Sequence, residues 1–205
     1  MKTPTKWKIE GLRGELFHMI LFAMAWVMIG EFSLDFKDYA IAAISVLLMV
    51  VWLAIYSIKL YDLEDSLPED NMANRHRSGD IFEKRRGWLF ALIFVLEGIA
   101  ILATWMILLK LQMDHWLVPC FAFIAGLHFL PLARLTRHRS YYLLGLWICA
   151  IAVTGYLLTN HNMITMERTN TFVAYGCAYG AVVDGVSVMV RTRKLKRQLQ
   201  GPELS

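Results

Sequence analysis

Residues Gly87–Leu109 read GWLFALIFVLEGIAILATWMILL, and Glu97 is the one ionisable side chain in the run. A helix that crosses the hydrocarbon core of a bilayer needs about 20 mostly apolar residues, and this stretch supplies them. A membrane β-barrel would instead alternate apolar and polar positions in segments of about ten residues. No such alternation is present here, so the stretch predicts a transmembrane helix.

Five further runs share its character: Leu16–Phe32, Tyr39–Ile58, Trp116–Leu135, Tyr141–Thr159 and Thr171–Val190. The chain has 205 residues, 57% of them apolar, with a mean hydropathy of +0.45. That is too apolar for an ordinary soluble domain. The predicted fold is all-α: a single integral membrane domain over residues 1–205, built as a six-transmembrane-helix bundle.

Charge placement orients the bundle. All but three of the 21 lysines and arginines fall at the N-terminus, in the segment after the second run, in the segment after the fourth, or in the tail. Lys37, Lys110 and Arg168 are the exceptions. Lys and Arg accumulate on the cytoplasmic side of membrane proteins, so both termini are predicted to be cytoplasmic, which an even number of spans requires. The N-terminal basic residues and the Ala-Met-Ala of residues 23–25 loosely mimic a signal peptide. The apolar run continues past them, and Glu15 and His18 interrupt it, so the first span is read as uncleaved.

Connections on the opposite face are short, about 33–38, 110–115 and 160–170. The sizeable polar segment is the cytoplasmic loop 59–86, acidic in its first half, basic in its second and interrupted by Pro68 and Asn71. Asp80 followed by Glu83 has the form of a helix N-cap with its capping-box partner. A net charge of +4 does not imply nucleic acid, because the basic residues cluster at membrane exits. Arg191, Arg193, Lys194, Lys196 and Arg197 would instead hold anionic lipid, at about 1 kcal/mol per basic residue near the surface.

An ionisable side chain at the centre of a span costs about 2.5–3.5 kcal/mol on insertion scales. Three are deep enough to matter: Glu97, His128 in GLHFLPLARL (126–135), and Asp184 in GAVVDGVSV (180–188). With 1.5 Å of rise per residue, Glu97 lies about 15 Å, His128 about 10 Å and Asp184 about 9 Å from the cytoplasmic ends of their spans. These depths allow a shared polar layer in the inner half of the bilayer, in which carboxylates would tune the histidine. Gly176, Gly180 and Asp184 recur every four residues, a small-residue stripe on which helices approach closely. Pro131 removes a hydrogen-bond partner from the carbonyl of Leu127 and predicts a kink beside His128.

Glu15 and His18 form Glu-x-x-His at the inner end of the first span. The spacing matches half of a di-iron carboxylate site, but no second copy follows, and near the interface both side chains can reach water. Cys120, Cys149 and Cys177 have neither metal-ligand nor disulfide spacing and read as small apolar fillers. His76, His115, His138 and His161 fall in loops. No metal or other cofactor is expected, and no nucleophile motif or Gly-rich phosphate loop points to an enzyme.

The stretch LHFLPLA (127–133), followed by a basic loop and YYLLGL (141–146), resembles small bacterial polytopic membrane proteins with a His-Phe-x-Pro-Leu-Ala stretch in a transmembrane helix. The resemblance covers about a quarter of the chain. It implies a bacterial inner-membrane location and a joint role for His128 and Pro131, and it brings no activity with it. The function expected from the residues is a small proton-linked transporter or permease-like protein, with Glu97, His128 and Asp184 binding solute or proton. The alternative is a non-catalytic membrane subunit or sensor that docks a cytoplasmic partner through loop 59–86 and the basic tail. An enzyme acting on lipid ranks third, and a homo-oligomer is compatible with any of these.

Overall fold

The computed structural model describes residues 6–33, 40–65, 80–136, 138–161 and 163–199; within these, the side chains of 6–10, 40–42, 62–65, 80–87 and 196–199 fall outside the description. Six helices follow one another: α1 (Lys6–Ser33), α2 (Ala40–Asp65), α3 (Asp80–Lys110), α4 (Leu117–Thr136), α5 (Arg139–Asn160) and α6 (Met166–Leu199). No strand occurs among the described residues. All six helices are long and apolar enough to cross a membrane.

The helices run further than the apolar stretches that announce them. Apolarity marks the part of a helix suited to hydrocarbon, whereas backbone hydrogen bonding continues into polar flanks. Thus α6 begins five residues before Thr171 and continues through the basic sequence to Leu199, and α2 reaches Asp65. α3 starts at Asp80, the residue marked by the capping pattern. Residues 66–79, the middle of the expected docking loop, lie outside the described residues, as does Gly201-Pro202, a pair that predicts the end of the last helix near Gln200; the described helix runs to Leu199.

Pairwise contacts fix the directions. Glu15 meets Arg191 and Gly30 meets Ala174, so α1 and α6 are antiparallel. Gly126 meets Gly145 and Phe129 meets Tyr141, which makes α4 and α5 antiparallel. Ser45, Leu53 and Tyr56 of α2 meet Tyr179, Gly185 and Met189 in the same order, so α2 and α6 are parallel. The N-terminal end of α1 and the C-terminal end of α6 therefore share one end of the bundle, called here the termini end.

α6 is the central post and packs against α1, α2, α4 and α5. α3 stands at the edge, on α4. Its turn toward α4 is closed by a Schellman motif: Met113 N–H donates to Leu108 O (2.9 Å) and Gln112 N–H to Leu109 O (3.1 Å). Gln112 takes φ +56° to make this possible. A 3-10 turn, Asp114–Trp116, then leads into α4.

Glycines set the closest approaches. A methyl group on Gly126 would come within 2.6 Å of Cys149 Sγ and 2.9 Å of the Cys149 backbone nitrogen, and one on Gly145 within 2.8 Å of Gly126 O. α4 and α5 thus touch backbone to backbone, as small residues permit in membrane bundles. Gly176 and Gly180 receive Ile151 and Trp147 of α5 in the same way, at 2.9 and 2.7 Å from the added carbon. Trp147 is held there because its Nε1–H donates to Gly176 O at 2.9 Å.

Candidate functional site

His128 lies on the buried face of α4 and is 6% exposed. Its Nδ1 stands 3.0 Å from Glu97 Oε1 of α3, ion-pair distance although not aligned as a hydrogen bond. The Glu97 side chain is itself 12% exposed. Two of the three deep groups therefore meet, and they join the edge helix to the bundle. Pro131 lies inside α4 on the outer surface, next to exposed Leu127 and not on the face that carries His128.

The third participant comes from α1. His18 is within electrostatic reach of both His128 and Glu97. Phe94 packs between the two imidazoles, 5.3 Å from the His18 ring and 5.5 Å from that of His128. Phe22 and Phe129 close the cluster, with ring centres 5.2 Å apart. Nε2 of each histidine is buried without a hydrogen-bond partner. Such an orphaned group in a dry setting costs about 1–3 kcal/mol, a cost that a polar group hydrogen-bonded to either imidazole would relieve.

One turn earlier on α1, Glu15 lines up beside His18 but meets different neighbours. Its carboxylate is 7% exposed and accepts a 2.9 Å bond from Arg191 Nη2 of α6. Arg191 Nη1 stands 2.9 Å from His138 Nδ1, whose Nε2 lies 3.9 Å from Glu15 Oε2. Tyr141 of α5 is buried beside Glu15 and Arg191. Arg191, grouped by sequence with the lipid-facing cations, is thus engaged inward. Arg193 and Lys194 remain exposed, with the Arg193 guanidinium 5.7 Å from the Tyr56 ring, while the Lys196 and Arg197 side chains are among those not described.

A cavity of about 920 Å³ opens at the termini end between these elements. Glu15, His18, His138, Tyr141 and Arg191 line it, and Phe17, Leu21 and Phe90 supply apolar wall. His18 is the hinge of the arrangement, since it lines this cavity and also faces the Glu97–His128 pair.

Asp184 lies apart from that pair. It is 5% exposed, faces Ser140 of α5 and is within electrostatic reach of Glu15 and Arg191. The predicted trio is therefore divided: Glu97 and His128 converge with His18, and Asp184 takes a place between α5 and α6. The sequence alone discounts Glu15 and His18, puts His138 in a loop, assigns Arg191 to anionic lipid and gives Tyr141 no site role. The available signal was Glu-x-x-His, whose two side chains i and i+3 project toward different neighbours. Among the described residues no group of three His, Cys, Asp or Glu side chains could hold a metal ion.

No family model, curated protein or solved structure matches the chain.

Proposed function

We propose that the chain is a small multi-pass membrane protein of permease-like type, linked to protons, in which the Glu97–His128 pair binds the proton. The supporting observation is the 3.0 Å approach of His128 to Glu97 beside a second buried imidazole, His18, which lines a cavity open at the termini end. Water in the cavity delivers a proton to His18, and the pair beyond it receives it. Titratable groups buried in a membrane bundle and paired with one another mark proton and solute paths. Imidazole serves this role because its charge changes near neutral pH. The distribution of Lys and Arg supports a cytoplasmic termini end, and the His-Phe-x-Pro-Leu-Ala resemblance supports a bacterial inner-membrane location.

Proteoliposomes loaded with a pH-sensitive dye and energised by a potassium diffusion potential test this reading. Proton entry should exceed that of empty vesicles and fall to the empty-vesicle level in Glu97→Gln and His128→Asn. Wild-type flux no greater than that of empty vesicles, or unchanged flux in both variants, overturns it.

A further inference from the structure

A second cavity, of about 350 Å³, lies between α5 and α6 and takes no part in the proton cluster. Asp184 and Ser140 form its polar side, with Ser187 one turn beyond Asp184. The Ser140 hydroxyl faces the carboxylate. Even so, Ser140 Oγ and Asp184 Oδ2 are both buried without a hydrogen-bond partner. A buried carboxylate is normally satisfied by bonds or by a counter-charge; Arg191 acts on Asp184 only at a distance and is bonded to Glu15, so the unfilled Asp184 oxygen beside the Ser140 hydroxyl has room for a further donor.

The remaining walls define the rest of the ligand. Leu144, Gly180 and the rings of Trp147 and Tyr179 line the cavity. Trp147 is fixed by its bond to Gly176 O, and aromatic rings next to a cavity favour cations. Leu143 and Val183, at its rim, are 71% and 67% exposed, so the mouth opens on the apolar outer surface of the bundle. A ligand that enters there carries an apolar portion with it. The volume suits a small organic molecule and is far larger than a bare ion needs. The carboxylate disfavours an anion.

We infer that this cavity binds a protonated amphiphilic amine, its ammonium N–H groups donating to Asp184 and Ser140 and its alkyl portion lying along Leu143 and Val183. This adds a ligand class to the proposed permease and does not rest on the proton pair.

Protein in nanodiscs, titrated with octylamine by calorimetry against empty nanodiscs, provides the test. Octanol, octanoate and octyltrimethylammonium serve as matched neutral, anionic and donor-free probes. Octylamine should bind tightest. Asp184→Asn should weaken octylamine by about a hundredfold, the scale of losing one partner of a buried charge pair, and leave octanol unchanged. Ser140→Ala should weaken octylamine by about tenfold, as for one lost bond to a charged group, with no change for octyltrimethylammonium. Glu97→Gln should bind octylamine as the wild type does, which separates this result from failure of the proton pair. Equal binding of octylamine and octanol, or no change in Asp184→Asn, overturns the inference. So does a loss in Asp184→Asn that extends equally to octanol, because it would mean that the groove had merely collapsed.

Discussion

α3 and α6 are similar in length, and they relate to the bundle in opposite ways. α3 is the most apolar of the six candidate spans and α6 the least, yet none of the α3 window is buried against protein and 61% of the α6 window is. In water this order would be reversed. In lipid, apolar side chains gain nothing by leaving the acyl chains, so association depends on close packing and polar contacts. α6 supplies Gly176, Gly180 and Gly185 to its neighbours, with Asp184 and Arg191 on inward faces. α3 presents large side chains such as Leu96, Ile99 and Met106 outward and is joined to α4 at the level of Glu97.

The contrast breaks if α6 can lose its inward contacts without consequence. Arg191→Ala removes the cation bonded to Glu15, whose carboxylate is 7% exposed. The expected cost is about 3 kcal/mol, the lower end of the range for stripping one partner from a buried pair, because Arg191 is 30% exposed on its side chain. Unfolding in mixed micelles measures it, and Glu15→Gln in the same chain should recover most of the loss.

A matched pair of substitutions sharpens the comparison. Gly180→Ala puts a methyl group 2.7 Å from Trp147 Cδ1 and should cost about 1–3 kcal/mol by overpacking. Gly98→Ala, on α3, meets nothing within 4 Å and should stabilise the chain by about 0.5–1 kcal/mol through helix propensity alone. The same change thus has opposite signs on the two helices, and thermal unfolding of both variants reads the difference.

The smallest effect is expected where function is proposed. Glu97→Leu removes the contact with His128, and interhelical polar contacts average about 0.6 kcal/mol in membrane bundles. A loss of several kcal/mol in the same unfolding measurement would make the pair a structural clamp.

Sequence reading reached the six helices because each carries a long, mostly apolar stretch, and it came close to the C-terminal end of α6 at Leu199; the start of α6 lies earlier than the apolar run, because Met166–Asn170 extend the helix. It reached Glu97 and His128 as members of one layer in the inner half of the bilayer, about 15 and 10 Å deep, because depth can be counted along a helix. Direction around the helix axis cannot be counted without knowing the neighbours. That is why Asp184 was grouped with the pair although its small-residue face leads to α5. It is also why His18 was assigned to water although Phe22, Phe94 and Phe129 enclose it. Arg191 was read as a marker of orientation because a cation near a span's end usually is one. Its inward turn depends on Glu15, 176 positions away in the chain.

Glu15 and His18 stand three residues apart on α1, one aimed at Arg191 and the other at the aromatic cluster around His128. Each residue of an α-helix turns about 100°. Inserting or deleting a single residue between them would swing one side chain out of its neighbourhood while leaving the other in place. The short spacer from Leu16 to Phe17 therefore acts as a phase lock that keeps the two polar compartments in step, and a change in its length costs more than a substitution at exposed Phe17.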